Sequence, residues 1–117
     1  MKLEVGQFVR LKSGYICKII NINDFREPNM KYGVEANYLK DVMFIGDDDI
    51  VKASYNIIDI LEVGDYVNGR KVVEIFYDAN DNVMDVCVLG SIVYQNNEIK
   101  SVITHEQMEQ MAYKVGE

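Results

Sequence analysis

Apolar and polar residues alternate in short runs along the whole chain. "QFVRLK", "YICKIINI", "KYGVEANYL" and "DVMFI" are such runs, separated by Ser13-Gly14, by the "NDFREPN" loop holding Pro28, and by a break before Asp41. Their two-residue spacing and brief apolar blocks predict short strands joined by turns. The second half repeats the order. "YVN" runs into Asn68-Gly69, the dipeptide most typical of a two-residue hairpin, "KVVEIFYD" returns, and "VMDVCVL", "SIVYQ" and "IKSVI" follow. One segment departs from this period. "THEQMEQMAY" places Thr104 as N-cap, Gln107 at the third helical position, and Met108 and Met111 on a shared face, which predicts a helix near 105–112. A last short strand over "YKV" is expected to follow it.

The pattern contains a literal repeat. "LEVGQFV" at 3–9 returns as "LEVGDYV" at 61–67, and the two differing positions keep a polar and an aromatic residue. Gly6 and Gly64 can take the positive φ that a tight turn into a strand requires. Each copy continues through a hairpin and further strands, and in the first copy Asp47–Asp49 reads as one helical turn with its carboxylates at the positive end. Four or five short strands with a helical turn before the last is the layout of an SH3-like barrel. We therefore expect a mainly β fold of two small SH3-like β-barrel units in tandem with a short C-terminal helix. The units are expected over 1–59 and 60–117, packed as one body because a barrel of about 57 residues has a thin core. Phe8 and Tyr66, beside the strand-starting glycines, are expected to be mostly buried.

Composition narrows the function. Hydrophobic residues are 49% and charged residues 26% of the 117, as in soluble globular chains, which argues against disorder. No apolar run approaches the roughly 18 residues of a membrane span, and "MKLEVGQF" lacks the apolar core of a signal peptide. A cytoplasmic protein without membrane contact is expected. The net charge is −7, divided between 8 basic and 9 acidic residues over 1–59 and 4 basic and 10 acidic residues over 60–117. Broad binding to a nucleic-acid backbone is thereby disfavoured, above all in the second half.

Catalytic and metal chemistry find little support. Cys17 and Cys87 sit in apolar runs and read as inert core thiols. His105 is the single histidine, so the common His-rich and Cys₂His₂ zinc sites cannot be assembled. "DANDNVMD" sets Asp78, Asn80 and Asn82 at EF-hand ligand positions, but Val83 and Leu89 occupy the places of the required glycine and glutamate. No phosphate-binding glycine loop or nucleophile elbow is present. We expect a protein that is not an enzyme and carries no cofactor or metal.

Binding is the better prospect. The chain has 8 tyrosines and 4 phenylalanines, and Tyr15, Tyr32, Tyr38 and Tyr77 lie beside predicted turns where a half-exposed ring could stack or anchor an interface. Arg10, Lys12, Lys18, Arg26 and Lys31 fall in the nearly neutral half. The candidate ligand-binding set is Arg10, Lys12, Tyr15, Arg26, Lys31 and Tyr32, with Arg70 and Lys71 reaching across the junction between the units. In this set the cations would hold phosphate and Tyr15 or Tyr32 would stack on a base.

"NIIDILEVGDYVNGRKVVEIF" and "IKSVITHEQMEQMAYKV", together about a third of the chain, resemble small proteins carried by phages and prophages of low-GC Gram-positive bacteria. In those relatives an aromatic is common where this chain has Met108. The resemblance implies a protein of the host-cell cytoplasm that counters antiviral defence by binding and sequestering a nucleotide-derived immune signal. The pocket would lie at a subunit or domain junction, which leaves room for a homo-oligomer. Two other readings stay open: a protein-interaction module whose acidic second half blocks a host defence protein, and a housekeeping nucleic-acid-binding β barrel.

Overall fold

The repeated heptapeptide makes the same turn twice. In the first copy the Gln7 N–H donates to the Glu4 carbonyl (3.3 Å) and the Glu4 N–H donates back to Gln7 Oε1 (2.8 Å). In the second, the Asp65 N–H donates to the Glu62 carbonyl (3.1 Å) and the Glu62 N–H donates to Asp65 Oδ2 (2.7 Å). Gly6 and Gly64 have φ of +98° and +101°, a region glycine enters without steric cost. Their N–H groups then donate to Ile19 and Val72 carbonyls at 2.8 and 2.9 Å, which fixes where the returning strand runs.

The computed structural model describes residues 2–37, 39–112 and 115–116. The chain divides into two compact units, Met1–Ile60 and Leu61–Glu117. The N-terminal unit holds β1 (Phe8–Leu11), β2 (Ile16–Ile22), β3 (Tyr32–Glu35), β4 (Met43–Ile45) and β5 (Ile50–Ser54), with 3₁₀ turns at Pro28–Met30, Asp47–Asp49 and Ile57–Ile60. The C-terminal unit holds β6 (Tyr66–Val67), β7 (Arg70–Tyr77), β8 (Val83–Val88), β9 (Ile92–Tyr94), β10 (Val102–Ile103), a 3₁₀ turn at Asn96–Glu98, and α1 (His105–Met111).

Both sheets are antiparallel, and their orders match. The first runs β4-β3-β2-β1-β5 and the second, read in the same sense, β9-β8-β7-β6-β10. In each, a 3₁₀ turn precedes the last strand and is closed the same way: the Gly46 N–H donates to Asp49 Oδ2 (3.0 Å), and the Gln95 N–H to Glu98 Oε1 (2.9 Å). The fold is therefore mainly β, two SH3-like five-stranded units in tandem with one short C-terminal helix. Asn68 and Gly69 both take positive φ between Val67 and Arg70, the mirror-image turn that this dipeptide predicts. The "DANDN" stretch closes a hairpin, with the Asp78 N–H donating to the Asn82 carbonyl (2.8 Å) and Asp78 Oδ1 accepting the Asn80 N–H (2.8 Å).

In the N-terminal unit Leu3, Val9, Leu11, Cys17, Ile19, Tyr32, Val34 and Ile45 form one buried cluster. Leu61, Val67, Val72, Val86 and Val88 are buried in the C-terminal unit, so Leu3 and Val9 of the first heptapeptide match Leu61 and Val67 of the second. Phe8 and Tyr66 are mostly buried, while the fully inward positions of β1 and β6 belong to the valines that follow them. Cys17 is buried and Cys87 half-buried, both as free thiols. Two of the three residues of the expected "YKV" strand, Tyr113 and Lys114, lie outside the described residues; Val115 is in a turn. No described helix is long and apolar enough to cross a membrane.

Candidate functional site

The segment from Asn23 to Lys31 links β2 to β3, and local hydrogen bonds decide its shape. Asn23 Oδ1 accepts the Phe25 N–H (2.9 Å), and its carbonyl accepts the Arg26 N–H (3.2 Å). This asparagine-initiated turn leaves the Phe25 side chain wholly exposed, at 100%. Pro28 then starts the 3₁₀ turn, where its missing N–H costs nothing. The loop closes where the Asn23 N–H donates to the Lys31 carbonyl (2.9 Å) and the Lys31 ammonium pairs with Asp24 (3.2 Å).

Arg26 crosses from this loop to the sheet edge. Its guanidinium lies 4.0 Å from the centroid of the Phe44 ring on β4, the outermost strand of the sheet. Phe44 pairs with Gly33 on β3, and a Cβ on Gly33 would stand 3.4 Å from Phe44 Cε1 and 3.3 Å from Val42 Cγ1. Gly33 thus makes the room in which these two side chains settle. Phe25, Met30, Val42 and Phe44 are all exposed. Val42 and Phe44 stand together over Gly33 at the strand edge with the Arg26 guanidinium on Phe44, and Phe25 and Met30 are exposed on the loop that carries Arg26.

Beneath it, Tyr32 is buried and donates its hydroxyl to Asp47 Oδ1 at 2.6 Å. Burial, reinforced by that hydrogen bond, raises its pKa above the ordinary tyrosine value. The Lys31 ammonium sits 5.4 Å from the Tyr32 ring, and its hydrogen bond to Asp24 raises the lysine pKa.

Of the residues predicted to bind a ligand, Arg26, Lys31 and Tyr32 come together here. Arg10 does not. It is 1% exposed, and its guanidinium donates to the Ile60 carbonyl at 3.1 Å. The sequence alternation points Arg10 away from Val9 and Leu11, but the Ile57–Ile60 turn packs against β1, so this polar position meets protein instead of water. Lys12 is exposed at the β1–β2 hairpin, where its N–H donates to the Asp49 carbonyl (2.9 Å). Tyr15 is half-buried against the core. Arg70 and Lys71 are exposed on the C-terminal unit, and Arg70 Nη1 donates to the Leu89 carbonyl at 3.2 Å. Tyr38 lies outside the described residues.

Sequence reasoning passed over Phe25, Val42 and Phe44. The last two stand two apart in "DVMFI", a spacing that assigns one strand face, but nothing in that run says which face is covered. A further group, Glu62, His105 and Glu106, converges in the C-terminal unit.

Comparison of the chain with protein-family models, with curated proteins and with solved structures returns no match.

Proposed function

We propose that the chain is a non-catalytic protein-interaction module whose contact surface is the Phe25, Arg26, Val42 and Phe44 end of the N-terminal unit. The observation that carries this reading is Phe25, a large ring with no cover, held outward by a defined turn next to the Arg26–Phe44 stack. Aromatic residues and arginine are the side chains that dominate binding energy at protein interfaces. The adjoining β4 edge offers backbone groups to an added strand from the partner. A host protein is the partner to seek first, following the resemblance to phage proteins.

The nucleotide-sequestering reading has weaker support. It needs cations converging on one anionic group. Arg10 is buried beneath the Ile57–Ile60 turn, Lys31 is paired with Asp24, and Arg26 is stacked on Phe44.

The test is affinity capture from host lysate by wild type, Phe25→Ala and Phe44→Ser, with isothermal titration of cyclic and linear adenine nucleotides in parallel. A partner captured by wild type and lost with either variant, both still folded, supports the module. Micromolar nucleotide binding that ignores Phe25 and Phe44 would return the function to sequestration.

A further inference from the structure

His105 opens α1 and Glu106 follows it, while Glu62 lies in the repeat turn. His105 Nε2 is 2.9 Å from Glu62 Oε1 and 3.0 Å from Glu106 Oε1. The three donor atoms lie within 4.8 Å of one another, and all three side chains are partly exposed. A ring nitrogen carries at most one proton, and one N–H is directed well at one acceptor. Two carboxylate oxygens about the same nitrogen are also the arrangement that a shared cation requires. The His105–Glu62 and His105–Glu106 separations match donors each about 2.1 Å from an ion and at right angles around it, which stand about 3 Å apart.

The backbone that presents these donors is fixed by one side chain. Asp65 is fully buried; its Oδ2 accepts the Glu62 N–H (2.7 Å) and its Oδ1 accepts the His105 N–H (2.9 Å). Thr104 caps α1 by accepting the Gln107 N–H (3.2 Å). Such a supporting shell orients ligands before an ion arrives.

The N-terminal unit shows that the fold does not require this donor set. There the ring over the turn glycine is Tyr55, whose Cε1 is 3.5 Å from where a Cβ on Gly6 would stand; His105 Cβ is 3.5 Å from the same point on Gly64. Tyr55 interacts with Glu4, the counterpart of Glu62. A ring over glycine beside a glutamate is common to both units. The imidazole set between two carboxylates belongs to the second.

We propose that Glu62, His105 and Glu106 bind one divalent first-row transition-metal ion, with water completing its coordination. Imidazole with carboxylates suits zinc, cobalt or nickel better than magnesium. The site is independent of the surface around Phe25.

The experiment titrates untagged protein with Zn²⁺ by calorimetry and with paramagnetic Co²⁺ by NMR. Because the chain has one histidine, its imidazole C–H resonances report on this site alone. One-to-one saturation in the micromolar range is expected, with loss of the imidazole signals on adding Co²⁺ and little response to Mg²⁺. Binding should weaken about tenfold or more in Glu62→Gln and His105→Asn. The half-buried Cys87 thiol is the competing ligand. Zinc binding that survives His105→Asn and vanishes in Cys87→Ser overturns the proposal. So does an imidazole unaffected by Co²⁺ up to about 1 mM, which would leave the cluster as side chains in contact with one another only. The wild-type NMR arm decides the matter even if a variant fails to fold.

Discussion

The buried Asp65 carboxylate accepts the backbone N–H of His105, 40 positions later, at 2.9 Å. Its second oxygen holds the Glu62 N–H, so one side chain ties the repeat turn to the start of α1. A hydrogen bond to a charged group contributes about 1.5–3 kcal/mol, and Asp65→Ala removes at least these two, so we expect a loss of about 3 kcal/mol or more. Asp65→Asn keeps one acceptor oxygen and should lose about half as much. Urea denaturation measures both, and amide exchange at His105 and Glu62 should speed up together. A loss below about 1 kcal/mol for the alanine variant would show that other contacts hold the helix.

Asn68 carries a second long-range clasp. Its Oδ1 accepts the Lys100 and Ser101 N–H groups (2.8 and 3.1 Å), and its Nδ2 donates to the Glu98 carbonyl (3.0 Å), all at φ of +52°. Asn68→Gly should lose the three exposed hydrogen bonds, about 2 kcal/mol in all, while keeping the backbone unstrained. Asn68→Ala should lose about 1 kcal/mol more, from the positive φ. Thermal melts of the two variants should differ in that order; equal melting would remove the backbone contribution.

Gly46→Ala tests how the Phe25 loop is seated. A Cβ on Gly46 would stand 2.7 Å from Asn29 Cα and closer still to the Pro28 carbonyl, with backbone on the opposing side and no flexible side chain to yield. The 3₁₀ turn at 28–30 must shift, at a cost of about 2 kcal/mol. Capture of a protein partner should fall as well, because Phe25 and Arg26 ride on that loop. Unchanged chemical shifts at 24–31 would show that the loop is not seated against Gly46.

Tyr32 sets a pH dependence. Its folded-state pKa is raised, first by burial and then by the hydrogen bond to Asp47, so the folded protein keeps this proton where the unfolded chain has begun to lose it. The corresponding stability is whole below about pH 10, the ordinary tyrosine value, and is lost as pH rises through the folded value. Lys31, also raised, loses its contribution in the same direction. Urea midpoints from pH 8 to 11 should fall above pH 10, and Tyr32→Phe should flatten that fall. An equal fall in the variant would place the alkaline sensitivity elsewhere.

The architecture was largely legible because it rests on local chemistry. Val-Gly before an aromatic specifies a turn into a strand, Asn68-Gly69 a two-residue hairpin, and Thr104 with Gln107 a helix start. What alternation could not reveal was which strand face a later segment covers. Arg10 reads as a solvent position until the Ile57–Ile60 turn is in place, and Phe8 reads as core although Val9 holds the inward place. The Phe25 surface depends on side chains from two separate segments, and the Glu62–His105 approach on residues 43 apart. Neither spacing leaves a periodic trace.

Two units with the same strand order in one chain are also two templates for each other's strands. Tandem repeats of this kind risk exchanging elements while folding. Their first hairpins differ in length: β1 and β2 are joined through Lys12–Tyr15, but β6 and β7 only through Asn68-Gly69. A hairpin delivered to the wrong unit would therefore arrive with a turn two residues longer or shorter than the one it replaces. The unequal hairpins thus mark the two copies apart at their opening turns, where strand order alone would leave them alike.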